Sequence, residues 1–275
     1  MFAAQCRCLA LLTLGIFLNL AGVAHAADVF DQSHKGFSDV LSTHVRWNTA
    51  GTASSVDYAG LTKSHTALDG YTASLSSVSQ AQFQQFSKLE RRAFLINAYN
   101  AFTLQLILTK YPDLKSIKDL GSFFSSPWKK AFVPLLGQTR SLDDIEHVLL
   151  RGTTDYDDPR IHFAVNCASI GCPALRPEAF VAARLDAQLL DQTQRFLRDR
   201  SRNRYNAAAK TLELSMIFKW YGDDFERGFL GANSVAEFIA GYAGSIGLAP
   251  TALAQLKAGA IAIDYSDYNW ELNKR

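Results

Sequence analysis

Cysteine is scarce in this 275-residue chain. Its four copies are Cys6 and Cys8 near the start and Cys167 and Cys172 in the middle. That excludes a fold held by a lattice of disulfides, and with no Cys-x2-Cys pair and no second cysteine pair in the mature chain it excludes a zinc ribbon. A surplus of either charge is missing too: 28 Lys and Arg stand against 26 Asp and Glu. Nothing is patterned to follow a phosphate backbone, so no nucleic-acid partner is expected. There is no internal repeat and no low-complexity tract. Beyond the first 26 residues no apolar run reaches the ~20 residues that span a bilayer, which excludes a stable membrane span in the mature chain.

What is present begins with a leader. Arg7 supplies a positive start, Leu9 to Leu20 a short apolar core, and Ala24-His25-Ala26 a small-residue cleavage signal. Residues 1–26 are therefore expected to be a secretory signal peptide, with a periplasmic or secreted product. Cleavage removes Cys6, Cys8 and one arginine, leaving 249 residues with 27 basic against 26 acidic side chains. That length suits one domain with a substantial core.

Along residues 27–275, Phe37, Val40, Leu41, His44 and Val45 repeat at helical spacing, and His44 on that stripe is expected to be a satisfied core histidine. Ser87 and Glu90 form a capping box ahead of an apolar run from Ala93 to Leu108, a helix expected to pass through the middle of the fold. Its exceptions are Asn97 and Asn100, which share a face and, if buried, need partners. Trp128 to Gln138 suggests a hairpin around Pro134 and Gly137, and Ser141 with Asp144 caps a helix carrying Glu146, His147 and Arg151. Pro177 is expected to open a helix running to about Arg198, and Tyr205 to Ser215 a hairpin. Ser234 with Glu237 caps another helix, and Ile261, Ile263 and Tyr265 alternate as a terminal strand. Helices dominate, so the expected fold is α+β, a single helix-dominated domain with a small antiparallel sheet packed on a buried central helix.

Chemistry concentrates between Arg160 and Pro173. Ile161, Phe163 and Val165 alternate, which predicts a strand with His162 and Asn166 on its other face. Ala168 to Gly171 then break the run, and Cys172 abuts Pro173.

Three stretches together, Ala93 to Ala101, Ile145-Glu146-His147 with Arg151, and Pro159 to Ser169 with Gly171-Cys172-Pro173, resemble the family called domain of unknown function 547. Ser215, Trp220-Tyr221 and Asp224-Phe225 are similar to it as well, so the resemblance spans roughly residues 57 to 230. It implies one fold and marks the unusual residues, and it carries no activity.

Three readings of Cys167 and Cys172 compete. An oxidising compartment favours a disulfide that shapes the loop. Alternatively Cys167 is a nucleophile, with His162 or His147 as base, Asn166 orienting the ring, and amides near Ser169 to Gly171 stabilising an oxyanion. The objection is parity, since residues five apart on a straight strand face opposite ways. A third reading joins both sulfurs to His147 and His162 around a metal, which the Cys-x4-Cys spacing does not call for. Asp223 and Asp224 are adjacent and cannot act as a pair; Asp224 is expected to fix a loop or a histidine.

The functional expectation is an exported thiol-dependent hydrolase or acyltransferase without cofactor or metal. Its catalytic candidates are Cys167, His162, His147 and Asn166, and its substrate-binding candidates are Asn97, Asn100, Arg151, Trp220 and Tyr221. The alternative is a non-enzymatic module binding a small molecule or peptide, shaped by a structural Cys167–Cys172 disulfide.

Overall fold

A computed structural model describes residues 29–122, 125–152 and 157–275. The expected leader, with Cys6 and Cys8, lies outside the described residues. The order begins with α1 (Lys35–His44), the hairpin β1 (Val45–Trp47) and β2 (Ser54–Val56), then α2 (Tyr58–Lys63), α3 (Thr66–Ser77), α4 (Gln80–Gln85) and the long α5 (Lys88–Leu108). A second hairpin, β3 (Val133–Leu135) and β4 (Gln138–Arg140), precedes a π-helical segment, Asp144–Leu150. After α6 (Leu185–Arg198) come β5 (Arg204–Asn206), β6 (Thr211–Ser215), the short α7 (Ile217–Trp220) and α8 (Gly222–Phe225), α9 (Val235–Gly241), α10 (Ala243–Ile246), α11 (Pro250–Lys257) and β7 (Ala262–Ser266). The fold is a helix-dominated α+β with small sheets, antiparallel in every named strand pair but one. Strand pairing is divided among three places, and in the third β6 pairs antiparallel with β5 and parallel with β7.

The central helix forms where its sequence signals it. Ser87 Oγ accepts from the Glu90 amide, and the Glu90 carboxylate accepts from the Ser87 amide at 2.7 Å. From Arg92 to Leu104 every residue of α5 is buried, so the amides of Asn97 and Asn100 lie inside the protein. Each is paired with backbone. Asn97 donates to Phe180 O at 2.7 Å and accepts from Phe180 N at 3.0 Å. Asn100 donates to Ala164 O at 2.9 Å and accepts from Asn166 N at 2.8 Å. His44 is likewise a core residue, 2.9 Å from the hydroxyl of Ser64.

Two expectations about secondary structure are corrected. Residues 159–163 are a 3-10 helix and not a strand: Pro159 sits at its start and Asp158 accepts from the Arg160 amide. The alternation misled because this turn lies between two apolar clusters. Ile161 and Ala164 belong to the cluster built on α5, while Phe163 belongs to the one built on Phe196, Phe218 and Phe238. A segment buried on every side shows no helical stripe. The helix expected from Pro177 also starts later, with a 3-10 turn at Ala182–Arg184 and then α6. The Asn97 and Gln188 side chains hold the backbone of 179–181 extended ahead of it.

Candidate functional site

The turn after Phe163 carries Cys167 and Cys172, which form a disulfide with their Cα atoms 6.1 Å apart. Asn166 braces its start, donating to Pro173 O at 2.7 Å and accepting from Ala168 N at 3.0 Å. The chain's last residues run along the loop: Ile170 N donates to Glu271 O and Gly171 N to Asn269 O, both at 2.8 Å. Tyr268 from that strap places its hydroxyl 3.2 Å from each sulfur. Gly171 permits this approach, because a Cβ there would stand 2.9 Å from the Tyr268 ring. The expected oxyanion donors near Ser169 to Gly171 are thereby corrected: the Ile170 and Gly171 amides serve the strap, and Cys172 N donates to Ser169 O.

Beside this loop lies a cavity of about 270 Å³. His162, Cys167, Cys172, Glu146, Trp220 and Tyr221 line it, together with Tyr99, Trp128, Tyr268 and Trp270. His162 is buried, and its Nε2 is 2.7 Å from Asp224 Oδ2. Arg151 Nε donates to the same oxygen at 2.6 Å, and Arg227 Nη2 is 3.0 Å from Oδ1. Burial alone would raise the Asp224 carboxyl, but the hydrogen bonds from His162 and Arg151 prevail and hold it well below the carboxylate range. Burial is also the main influence on His162; it pushes the imidazole below its ordinary value against the opposing pull of Asp224. An ionised carboxylate beside a neutral ring fixes the tautomer, with the proton on Nε2. Nδ1 keeps its lone pair, and it has no hydrogen-bond partner. Tyr221 stacks on the ring with centroids 3.9 Å apart, so the imidazole is held in plane as well as at one end.

The π-helical segment brings in Glu146. Ser141 and Asp144 cap it as the sequence predicts, and its register is shown by Arg151 N donating to Glu146 O at 2.9 Å. Glu146 is only 5 % exposed and lies close to the phenols of Tyr99 and Tyr221. Burial first, and the Glu146 charge second, push both phenols well above the tyrosine range.

Of the residues expected to act, His162, Cys167, Trp220 and Tyr221 meet around this cavity. His147 does not line it; its Nδ1 is 2.7 Å from Arg151 Nη1 and its side chain is 37 % exposed. Arg151 is committed to Asp224 and His147. Asn97, Asn100 and Asn166 brace backbone behind the loop and do not line the cavity. Asp224 fixes a histidine, as its sequence context suggested. Tyr268, Tyr99, Trp128 and Trp270 went unrecognised; Tyr268 lies 101 residues from Cys167, and no local pattern signals the contact. Among the described residues no group of three or more His, Cys, Asp or Glu side chains is placed to hold a metal ion, and no helix is long and apolar enough to cross a membrane.

Residues 83–197 match the model of the family described as "Protein of unknown function, DUF547". That stretch holds Glu146, His162 and the disulfide, while Asp224 and Tyr268 lie beyond it. No curated protein and no solved structure matches the chain.

Proposed function

We propose that this chain, with a DUF547 region at its centre, is an exported thiol-dependent hydrolase or acyltransferase whose resting form is the disulfide. The observation that carries the reading is that Cys167 and an Asp224-anchored His162, with an unpartnered Nδ1, line one cavity. A dithiol reductant opens the bridge, giving two cysteine thiols and its own disulfide. Nδ1 of His162 takes the Cys167 proton, and the thiolate attacks the carbonyl carbon of an ester or amide. The leaving group departs with the proton held on His162, and water or an amine then cleaves the thioester. Asp224 and Arg151 orient the ring throughout. Tyr268, its hydroxyl 3.2 Å from Cys167 Sγ and held protonated chiefly by burial, would serve as a donor to the developing oxyanion.

The test is to reduce the protein with a dithiol and follow alkylation of each cysteine by mass spectrometry from about pH 5 to 9, a range spanning an unperturbed thiol and an activated one. Cys167 should react ahead of Cys172 and below the ordinary thiol range, hydrolyse an activated acyl ester, and lose both properties in His162→Gln. Equal reactivity of the two sulfurs, each following an unperturbed thiol titration, would sink the proposal.

The closed bridge supports a second reading, a binding module in which the disulfide and Tyr268 shape an aromatic pocket. Ligand binding by the oxidised protein with no acyl transfer after reduction would decide for it.

A further inference from the structure

We infer that the cavity recognises an organic ammonium group on an alkyl chain, seated among aromatic rings against the Glu146 carboxylate. The inference names a substrate class for the site proposed above and rests on that cavity being the place where substrate binds. Glu146 is withdrawn from water, yet among the described residues no salt bridge reaches it. Arg151, the cation near enough to feel its charge, is spent on Asp224 at 2.6 Å. Two phenols are its polar neighbours, and phenols do not neutralise a charge. A buried carboxylate without a cation is costly, and a cationic ligand relieves that cost.

The aromatic lining of the cavity fits the same ligand. Trp220 and Tyr268 have centroids 4.9 Å apart, Tyr268 and Trp270 4.5 Å, and Trp128 and Trp270 5.6 Å, a continuous cluster of π-faces and edges. Such rings attract ammonium groups. Two of the cavity's rings already hold cations: Lys118 Nζ is 3.7 Å from the Trp270 centroid, and the Arg151 guanidinium 4.8 Å from that of Tyr221. Trp220, which is 44 % exposed, has no such partner among the described residues and stands where the cavity meets solvent. A volume of about 270 Å³ is close to the lower end of small-molecule sites and accommodates one alkyl chain with its head group.

The experiment is calorimetric titration of the whole mature protein, with the bridge closed and no reductant. Probes are Nα-acetyl-lysine methylamide, alanine methylamide with its free α-amine, and the neutral isostere Nα-acetyl-norleucine methylamide. At least one ammonium probe should bind tenfold or more tightly than norleucine, and whichever binds better tells whether a side-chain or a terminal amine is the source. Glu146→Gln should weaken that probe at least tenfold, and Trp220→Leu severalfold. Norleucine binding as tightly as both amines would overturn the inference, as would Glu146→Gln with native circular dichroism and unchanged affinity. If Glu146→Gln does not fold, unchanged affinity in Trp220→Leu overturns it instead. Because no thiol is involved, a failure here leaves the chemistry of Cys167 standing, and inert thiols would leave ammonium binding standing.

Discussion

Replacing Asp224 with asparagine keeps the shape of the side chain and removes its charge. In the native protein Oδ2 accepts from His162 at 2.7 Å and from Arg151 at 2.6 Å. Hydrogen bonds to charged groups contribute about 1.5 to 3 kcal/mol each, so Asp224→Asn should cost roughly 3 to 5 kcal/mol at neutral pH. An asparagine oxygen placed at the Oδ2 position still accepts from both His162 and Arg151, and its NH2 takes the Oδ1 place beside Arg227. The tautomer survives, but the imidazolium that forms when Nδ1 takes the Cys167 proton loses the negative charge beside it. A positioned general base contributes about 10²- to 10⁴-fold, so alkylation of reduced Cys167 near neutral pH should slow by at least about tenfold. The stability difference has its own pH signature. A carboxyl held below its ordinary 3.8 stabilises the fold fully above that pH, and the contribution disappears as pH falls through the lowered value. Urea unfolding of wild type and variant should therefore show a gap at neutral pH that narrows in acid. Alkylation within twofold of wild type, or a gap independent of pH, would refute the roles assigned to Asp224 and His162.

Three further outcomes are expected. His34, buried and 2.8 Å from the Tyr71 hydroxyl, is pushed down to about 4 by burial, so between 6.5 and that value the unfolded chain binds more protons. At about 1.4 kcal/mol per pH unit, acidification through this window should remove about 3 kcal/mol of stability. His34→Asn, whose amide tolerates the left-handed φ of 51°, should flatten that slope in urea titrations. Asn100→Ala strands Ala164 O and Asn166 N inside the protein and should cost roughly 2 to 5 kcal/mol in denaturant unfolding, whereas an effect under about 1 kcal/mol would mean that water replaces the amide. Gly171→Ala drives a methyl to 2.9 Å from the Tyr268 ring and 3.0 Å from Asn269 O. It should destabilise by about 1 to 3 kcal/mol and hasten reduction of the bridge as Tyr268 is displaced; an unchanged reduction rate would show that Tyr268 does not guard the sulfurs.

Local signals were legible in the sequence. The capping boxes at Ser87 and Ser141, the hairpin turning at Leu136 and Gly137, and the buried run of α5 are all written in neighbouring residues, because caps and turns are satisfied within a few positions. The Cys167–Cys172 bridge was one of three readings the sequence left open, both partners lying on one short loop, and the structure closes it. Tertiary structure alone decided the rest. It turned residues 159–163 from an expected strand into a 3-10 turn by burying them between two clusters. It assigned the amides of Asn97 and Asn100 to backbone, and it set Asp224, 62 residues on, against the ring of His162 at the cavity wall while leaving His147 outside the lining. A sequence records which groups can pair over a turn or two. Which buried charge faces which ring is settled only when distant segments pack, and this site is assembled from such meetings.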